Sequence, residues 1–274
     1  VIVVLTDGLR PDAITPSRMP SLHSLADAFT SALCATTVRP STTLAALATF
    51  VTGLAPETHG LTEPELGLGL VGRLAKLKPL PRTLARAGIP SRIVASELPG
   101  MQRKAVRALT AVAGVAAFTN SGRRGPQVAH AALRHAERDE PGVIFVYLND
   151  CDRAGHAHGW MSPQYLDAAV ELDAAVGLLS PLTMDSLVVV LADHGGGGVT
   201  PTNHGEPHPT NDRIPLVLAG PRVKRRRQLT QPVSILDVPP TLCHWLGVPV
   251  PDWYEGRVLS EGFVESSAVA EIPV

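Results

Sequence analysis

Aromatic residues are scarce in this sequence. Phe, Trp and Tyr make up 4% of it, so Ala, Leu and Val must do most of the packing. A surplus of charge is missing as well: 24 Lys and Arg stand against 25 Asp and Glu, a net charge of −1, which argues against a dedicated nucleic-acid binder. Cysteine occurs only at Cys34, Cys151 and Cys243, too few and too scattered for a disulfide framework. No apolar run approaches the roughly 20 residues of a membrane span, so no membrane segment is expected. An initiator Met is also lacking. The chain opens directly in an apolar run, Val1 to Leu5, which suggests an upstream segment and leaves a signal peptide undecided. The cytoplasm is the default expectation for its compartment.

Hydrophobic residues are plentiful, at 45% of 274 positions, enough for a sizeable core. That length suits one large α/β domain over residues 1–274, with a small insertion around 62–140 where Gly, Leu and Pro crowd without a strong period. No internal repeat is evident.

The strongest signal is the stretch Leu187-Val-Val-Val-Leu-Ala-Asp193-His194 followed by four glycines, Gly195 to Gly198. A wholly apolar, β-rich run reads as a buried strand. It stops at a carboxylate and an imidazole side by side, and the glycines let the backbone turn sharply or approach a ligand. The chain repeats this ending twice. Val1 to Leu5 leads to Asp7-Gly8, and Val143 to Leu148 leads to Asp152-Arg-Ala-Gly-His156. Asp7 on its own reads equally well as a turn or helix-capping Asp.

Helical spacing marks Pro20 to Phe29, Leu44 to Val51, Pro81 to Gly88, Gln102 to Gly114, Gly125 to Arg138 and a helix from Ser162-Pro163 to about Leu179. On the last of these, Asp173 lies on the inner face and is expected to bond backbone. His130, Arg134 and His135 read as solvated, as does the basic turn Lys224 to Arg227. Ser91 to Ala95 reads as a strand. Ile214 to Gly220 reads as another, with Pro215 near its start as tolerated at a sheet edge.

Strands alternating with helices predict a mainly parallel central sheet with helices on both faces, and such sheets bind ligands beyond the carboxyl ends of their strands. Three strands delivering Asp7, Asp152 with His156, and Asp193 with His194 to one edge would make an Asp/His cluster, with His204 close behind. These are ligands suited to zinc, with manganese the alternative. Six such groups suffice for two divalent metal ions.

The pattern resembles the alkaline phosphatase superfamily and, within it, the nucleotide pyrophosphatase/phosphodiesterase branch. The matching pieces are Val3-Val-Leu-Thr-Asp7-Gly, Thr43 with Thr52-Gly-Leu-Ala-Pro-Glu-Thr-His59-Gly60, Asp152-Arg-Ala-Gly-His156 with Gly159, Ala192-Asp193-His194-Gly195, His204-Gly205 leading to Ile214-Pro215, and Ser234-Ile-Leu-Asp237-Val-Pro-Pro-Thr241. Their order and spacing span nearly the whole chain. The resemblance implies an alkaline phosphatase-like fold and a phosphate-ester hydrolase that forms a covalent phospho-threonine. It implies one metal held by Asp7, Asp193, His194 and the oxygen of Thr43, and another held by Asp152, His156 and His204. Thr43 would be the nucleophile. The free N–H groups at the start of its helix, those of Thr43 and Leu44, would face the phosphoryl oxygens. His158 is a candidate pocket residue.

Counting back from Gly53 favours Thr43 over Thr42, and counting forward to Ile214-Pro215 favours His204 over His208. The family's phosphodiesterases carry an Asn a few residues beyond the His-Gly loop, where this chain has Leu61-Thr62-Glu63-Pro64. The sulfatase nucleophile signature is absent. The expected substrate is a small phosphate ester or nucleotide, with diesters and nucleotide pyrophosphates preferred. Arg10, Arg39 and Arg153 are the candidate cations for a monoester, and the stretch Leu66 to Leu74 with Trp160 is the candidate apolar pocket wall. A phosphomonoesterase, a phosphotransferase or mutase, and a metal-binding pseudoenzyme that senses a phosphorylated ligand are the alternatives.

Overall fold

The computed structural model describes residues 1–62, 72–74, 76–98, 100–137 and 141–264. Eight strands form one sheet in the order β4-β3-β5-β1-β6-β7-β2-β8. At its centre β1 (Ile2–Thr6) lies between β5 (Val143–Leu148) and β6 (Val188–Leu191), parallel to both. Every residue of β1 and β6 is buried, at odd and even positions alike. Side chains alternate between faces along a strand, so both faces of the sheet are covered there, which is why these segments read as unbroken apolar runs.

On one flank β3 (Ser91–Ala95) joins β5 and β4 (Ala117–Asn120), all parallel. On the other, β7 (Arg213–Ala219) runs antiparallel to β6 and to β2 (Thr30–Thr36), and the two-residue β8 (Arg227–Gln228) closes that edge. The long helices are α1 (Pro20–Ala28), α2 (Thr43–Thr52), α3 (Leu80–Arg86), α4 (Gly100–Val112), α5 (Gly125–Ala136), α6 (Asp150–His158), α7 (Pro163–Leu179) and α8 (Val238–Trp245). The mainly parallel architecture expected from the sequence is present.

Four readings of the sequence need correction. The interval 62–140 is not a separate insertion over its length. It supplies β3 and β4, and β3 is paired on both sides within the main sheet. β7 is an interior strand, not an edge. Pro215 is tolerated because β6 ends at Leu191: opposite it only the Pro215 carbonyl is used, accepting from the Ala192 N–H at 3.3 Å, and on the other side lies the β2 bulge between Ala32 and Ala35. Strands β2 and β4 gave no clear signal, since β4 is half-buried throughout and β2 is exposed at Cys34 and Thr36. His135 is not free in solvent; its Nε2 lies 3.1 Å from the Thr119 hydroxyl on β4. Asp173, in contrast, does bond backbone: its two oxygens accept from the N–H groups of Ser21 and Leu22 at 3.0 and 2.8 Å, capping α1 from the side.

The site edge is fixed by how β1 ends. Gly8 has φ +68°, and a Cβ there would sit 2.9 Å from the Asp152 Cα. Only glycine lets the turn after β1 come so close to α6. The same turn accepts the Asp152 N–H on the Asp7 carbonyl at 3.1 Å, while the Gly8 N–H donates to Asp193 Oδ1 at 3.2 Å. One tight turn therefore ties the ends of β1, β5 and β6 together.

Candidate metal centre

Beyond the carboxyl ends of those three strands the side chains form two groups, Asp7, Asp193 and His194, and Asp152, His156 and His204. In each group the candidate ligand atoms lie within 4.8 Å of one another. Asp7 follows β1 directly and Asp193 with His194 follow β6. Asp152 and His156 sit one turn apart on α6, so both face the same way. His204 arrives from the loop between β6 and β7.

The three imidazoles are held alike. Each donates its Nδ1–H to a backbone carbonyl: His194 to Gly195 at 2.8 Å, His156 to Thr202 at 2.9 Å, and His204 to Ser41 at 2.7 Å. That bond fixes the ring orientation and turns each Nε2 inward. The Nε2 of His194 meets Asp7 Oδ1 at 3.2 Å, Asp193 Oδ2 at 3.6 Å and the Thr43 hydroxyl at 3.1 Å. The Nε2 of His156 lies 3.3 Å from Asp152 Oδ1 and 3.2 Å from the Nε2 of His204. Asp7 Oδ1, Asp152 Oδ1 and Asp193 Oδ2 are buried and have no hydrogen-bond partner. At the second group two Nε2 atoms and a carboxylate oxygen crowd together, and at the first the His194 Nε2 faces both carboxylates. The donor set, carboxylate with imidazole, suits a divalent metal.

The electrostatics agree. Burial and the neighbouring Asp7 push the Asp193 carboxyl well above its ordinary range. Burial also works against ionised Asp7, but His194 and the Tyr147 hydroxyl outweigh it and hold that carboxyl below its ordinary value. Burial alone would lower His194; Asp193 and Asp7 instead raise it to about 10. Burial and the charge on His194 push His204 down to about 4, although the two rings stack with centroids 3.7 Å apart. The site demands positive charge at one group and repels a second proton at the other.

Thr43 is the first residue of α2. Thr42 before it is extended (φ −103°, ψ 148°) and makes no side-chain cap bond, so the first N–H groups of the helix, including that of Leu44, are left without a side-chain cap. The helix stops at Gly53, whose positive φ of 69° and missing Cβ admit the Tyr254 ring. Ser41 ties the segment before Thr43 to His204 twice, accepting the Nδ1–H on its carbonyl and donating its hydroxyl to the His204 carbonyl.

The structure brings Asp7, Thr43, Asp152, His156, Asp193, His194 and His204 together. It places His158 elsewhere, exposed on the far side of α6 in an open groove with Arg153, Gln164 and Ala168. His208 turns away as well, with Nδ1 2.7 Å from the Thr210 hydroxyl. Trp160 is a buried prop, its indole N–H donating to the Gly8 carbonyl at 2.9 Å and its ring flanking His156 and His204. The glycine run makes room for protein rather than ligand: a Cβ on Gly196 would lie 2.1 Å from the Trp160 ring, and one on Gly195 1.9 Å from the Thr210 carbonyl oxygen. Of the stretch Leu66 to Leu74, residues 66–71 lie outside the described residues. Sequence reasoning missed Tyr147, which donates to Asp7 Oδ2, and Ser41. A tyrosine near the end of a strand bordering an acid-bearing one was the available signal.

A first test is metal removal. Chelator-treated protein is expected to melt roughly 5–10 °C below the same protein with zinc at a hundredfold excess over its dissociation constant, since such binding contributes about 2.7 kcal/mol. Scanning calorimetry with elemental analysis checks this. Unchanged melting with no metal retained would exclude the centre.

The model of the family described as type I phosphodiesterase / nucleotide pyrophosphatase matches residues 1–65 and 91–230 of the chain. A phosphopentomutase from Symbiobacterium thermophilum is 33% identical over 132 residues, 48% of this chain but 32% of that protein's length. Among solved structures, human ectonucleotide pyrophosphatase/phosphodiesterase 5 superposes with a TM-score of 0.75 at 15% identity, covering 97% of this chain and 100% of that one. A phosphonate monoester hydrolase from Silicibacter pomeroyi gives 0.74 at 15% identity, covering 97% of this chain and 77% of that one. At such identities the superpositions speak for the fold alone.

Proposed function

Because the chain belongs to the type I phosphodiesterase / nucleotide pyrophosphatase family of the alkaline phosphatase superfamily, we propose that it is a two-metal phosphate-ester hydrolase whose nucleophile is Thr43 and whose preferred substrates are diesters or nucleotide pyrophosphates. The observation that carries this reading is the convergence of three inward-facing Nε2 atoms and three partnerless carboxylate oxygens beside the Thr43 hydroxyl.

Asp7, Asp193 and His194 with Thr43 would hold one ion, and Asp152, His156 and His204 the other; zinc fits these donors best, with manganese next. Bound there, the ions would supply positive charge for the entering and leaving oxygens and acidify the threonine hydroxyl. Thr43 Oγ attacks phosphorus as its hydroxyl proton passes to solvent. The bond from phosphorus to the leaving oxygen breaks, and the phosphoryl group stays on Thr43. Water then attacks the same phosphorus and releases the threonine. The N–H groups of Thr43 and Leu44 at the start of α2 bind phosphoryl oxygens. His158 takes no part, since it lies on the opposite side of α6.

The diester preference rests on the arginines. A monoester brings an extra negative oxygen and calls for an added cation. Arg39 is bound to Asp212, Arg10 to Asp12 and the Gly196 carbonyl, and Arg153 to Asn149 and the Arg123 carbonyl. Each is already engaged. The expected result is a higher kcat/KM for bis(p-nitrophenyl) phosphate than for p-nitrophenyl phosphate with zinc or manganese. A tenfold monoester preference would reverse the assignment. No turnover of either ester by fully metal-loaded protein would leave a binding protein.

The phosphopentomutase match favours one second reading, transfer of the phosphoryl group from Thr43 to a sugar hydroxyl instead of water. Interconversion of pentose phosphates would reveal it.

A further inference from the structure

Two acids flank His194, and they are braced differently. Asp193 accepts from the backbone N–H groups of Gly8 and His194 on Oδ1, at 3.2 and 3.0 Å, and so presents Oδ2 toward the imidazole. No side-chain substitution elsewhere removes those donors. Asp7 is braced by a side chain, the Tyr147 hydroxyl, on Oδ2, and presents Oδ1 to His194.

Strand register makes this contact. Tyr147 on β5 pairs with Leu5 on β1. Side chains two residues apart share a face of a strand, so Asp7 continues the face of Leu5 and a phenol opposite Leu5 reaches it along the strand. On its other side Tyr147 pairs with Ala95 on β3, whose small side chain leaves room for the ring. The Tyr147 backbone is pinned as well, its carbonyl accepting from the Ser96 N–H at 3.0 Å and the Ser96 hydroxyl at 3.2 Å.

We propose that Tyr147 is a positioning residue for the first metal group: its hydroxyl occupies Asp7 Oδ2, confines the carboxylate to a single inward-facing oxygen, and thereby sets the metal affinity of the Asp7–Asp193–His194 group separately from that of the Asp152–His156–His204 group. The inference rests on the two-metal reading. In the second group the two imidazoles are fixed by backbone carbonyls instead. Loss of an outer hydrogen bond to a metal ligand generally costs about 10–100-fold in metal affinity.

The test is titration of chelator-treated full-length chain with zinc against a chromophoric competitor, and with cobalt followed by its visible spectrum, for the parent and Tyr147→Phe. The parent is expected to bind two ions, and Tyr147→Phe to bind one with unchanged affinity and the other about 10–100-fold more weakly, with the cobalt bands of only that site altered. In an Asp7→Asn background, adding Tyr147→Phe is expected to change nothing further, because the hydroxyl acts through Asp7. A parent chain that binds no metal overturns the two-metal reading and this inference with it. Two unchanged affinities in Tyr147→Phe overturn this inference alone, as does an equal loss in the Asp7→Asn background. A Tyr147→Phe chain that no longer folds under chelator would make the residue structural and overturn it too.

Discussion

Thr43→Ala is expected to fold as the parent does and, if Thr43 is the nucleophile proposed above, to lose at least about 10³-fold in turnover, because the attacking oxygen is gone. The side chain is half-buried at the first position of α2, where alanine is a good helix former, so the helix has no reason to change. What disappears is the hydroxyl 3.1 Å from His194 Nε2. Thr42→Ala is the control: Thr42 makes no cap bond and its hydroxyl, though buried, has no partner, so turnover should stay within a few-fold of the parent. Steady-state kinetics on an aryl phosphodiester read both variants. An active Thr43→Ala with a dead Thr42→Ala would move the nucleophile by one residue.

Gly8→Ala should damage both the fold and the site. Its φ of +68° costs an L-residue about 1–2 kcal/mol. The added Cβ would lie 2.9 Å from the Asp152 Cα, a backbone atom that cannot rotate away, and overpacking of this kind costs about 1–3 kcal/mol. Melting should drop by roughly 5–15 °C. The displaced α6 carries Asp152 and His156, so metal stoichiometry should fall with it. A Gly8→Ala protein that melts within a degree of the parent and keeps both ions would show that the turn has slack.

The parts of this site that were legible in the sequence share a cause. β1, β5 and β6 are apolar runs buried almost throughout, so the charged residues just after them stand out, and Asp7, Asp152 and Asp193 are among these. His204 could be separated from His208 only by counting. Both sit in one irregular loop, and what decides between them is tertiary: His208 bonds the Thr210 hydroxyl and N–H, while His204 is reached by Ser41 from more than a hundred residues away. Tyr147 reads as packing within an apolar strand until register sets it opposite Leu5. The glycine run announced a tight backbone but not its reason, the Trp160 ring. β2 and β4 stayed hidden because strands half open to solvent carry neither an apolar run nor a clean alternation.

The central position of β1 has a consequence during synthesis. Its partners, β5 and β6, lie beyond residue 142, so Ile2–Thr6 emerges from the ribosome long before either strand it will pair with. Throughout that interval a largely apolar segment without its partners is exposed to other nascent chains, the situation in which aggregation competes with folding. The metal groups complete themselves at the far end of the same wait, since neither contains all its ligands until His194 or His204 has been made. A ribosome stalled before residue 194 would therefore carry a chain that can misassociate but has neither metal group complete.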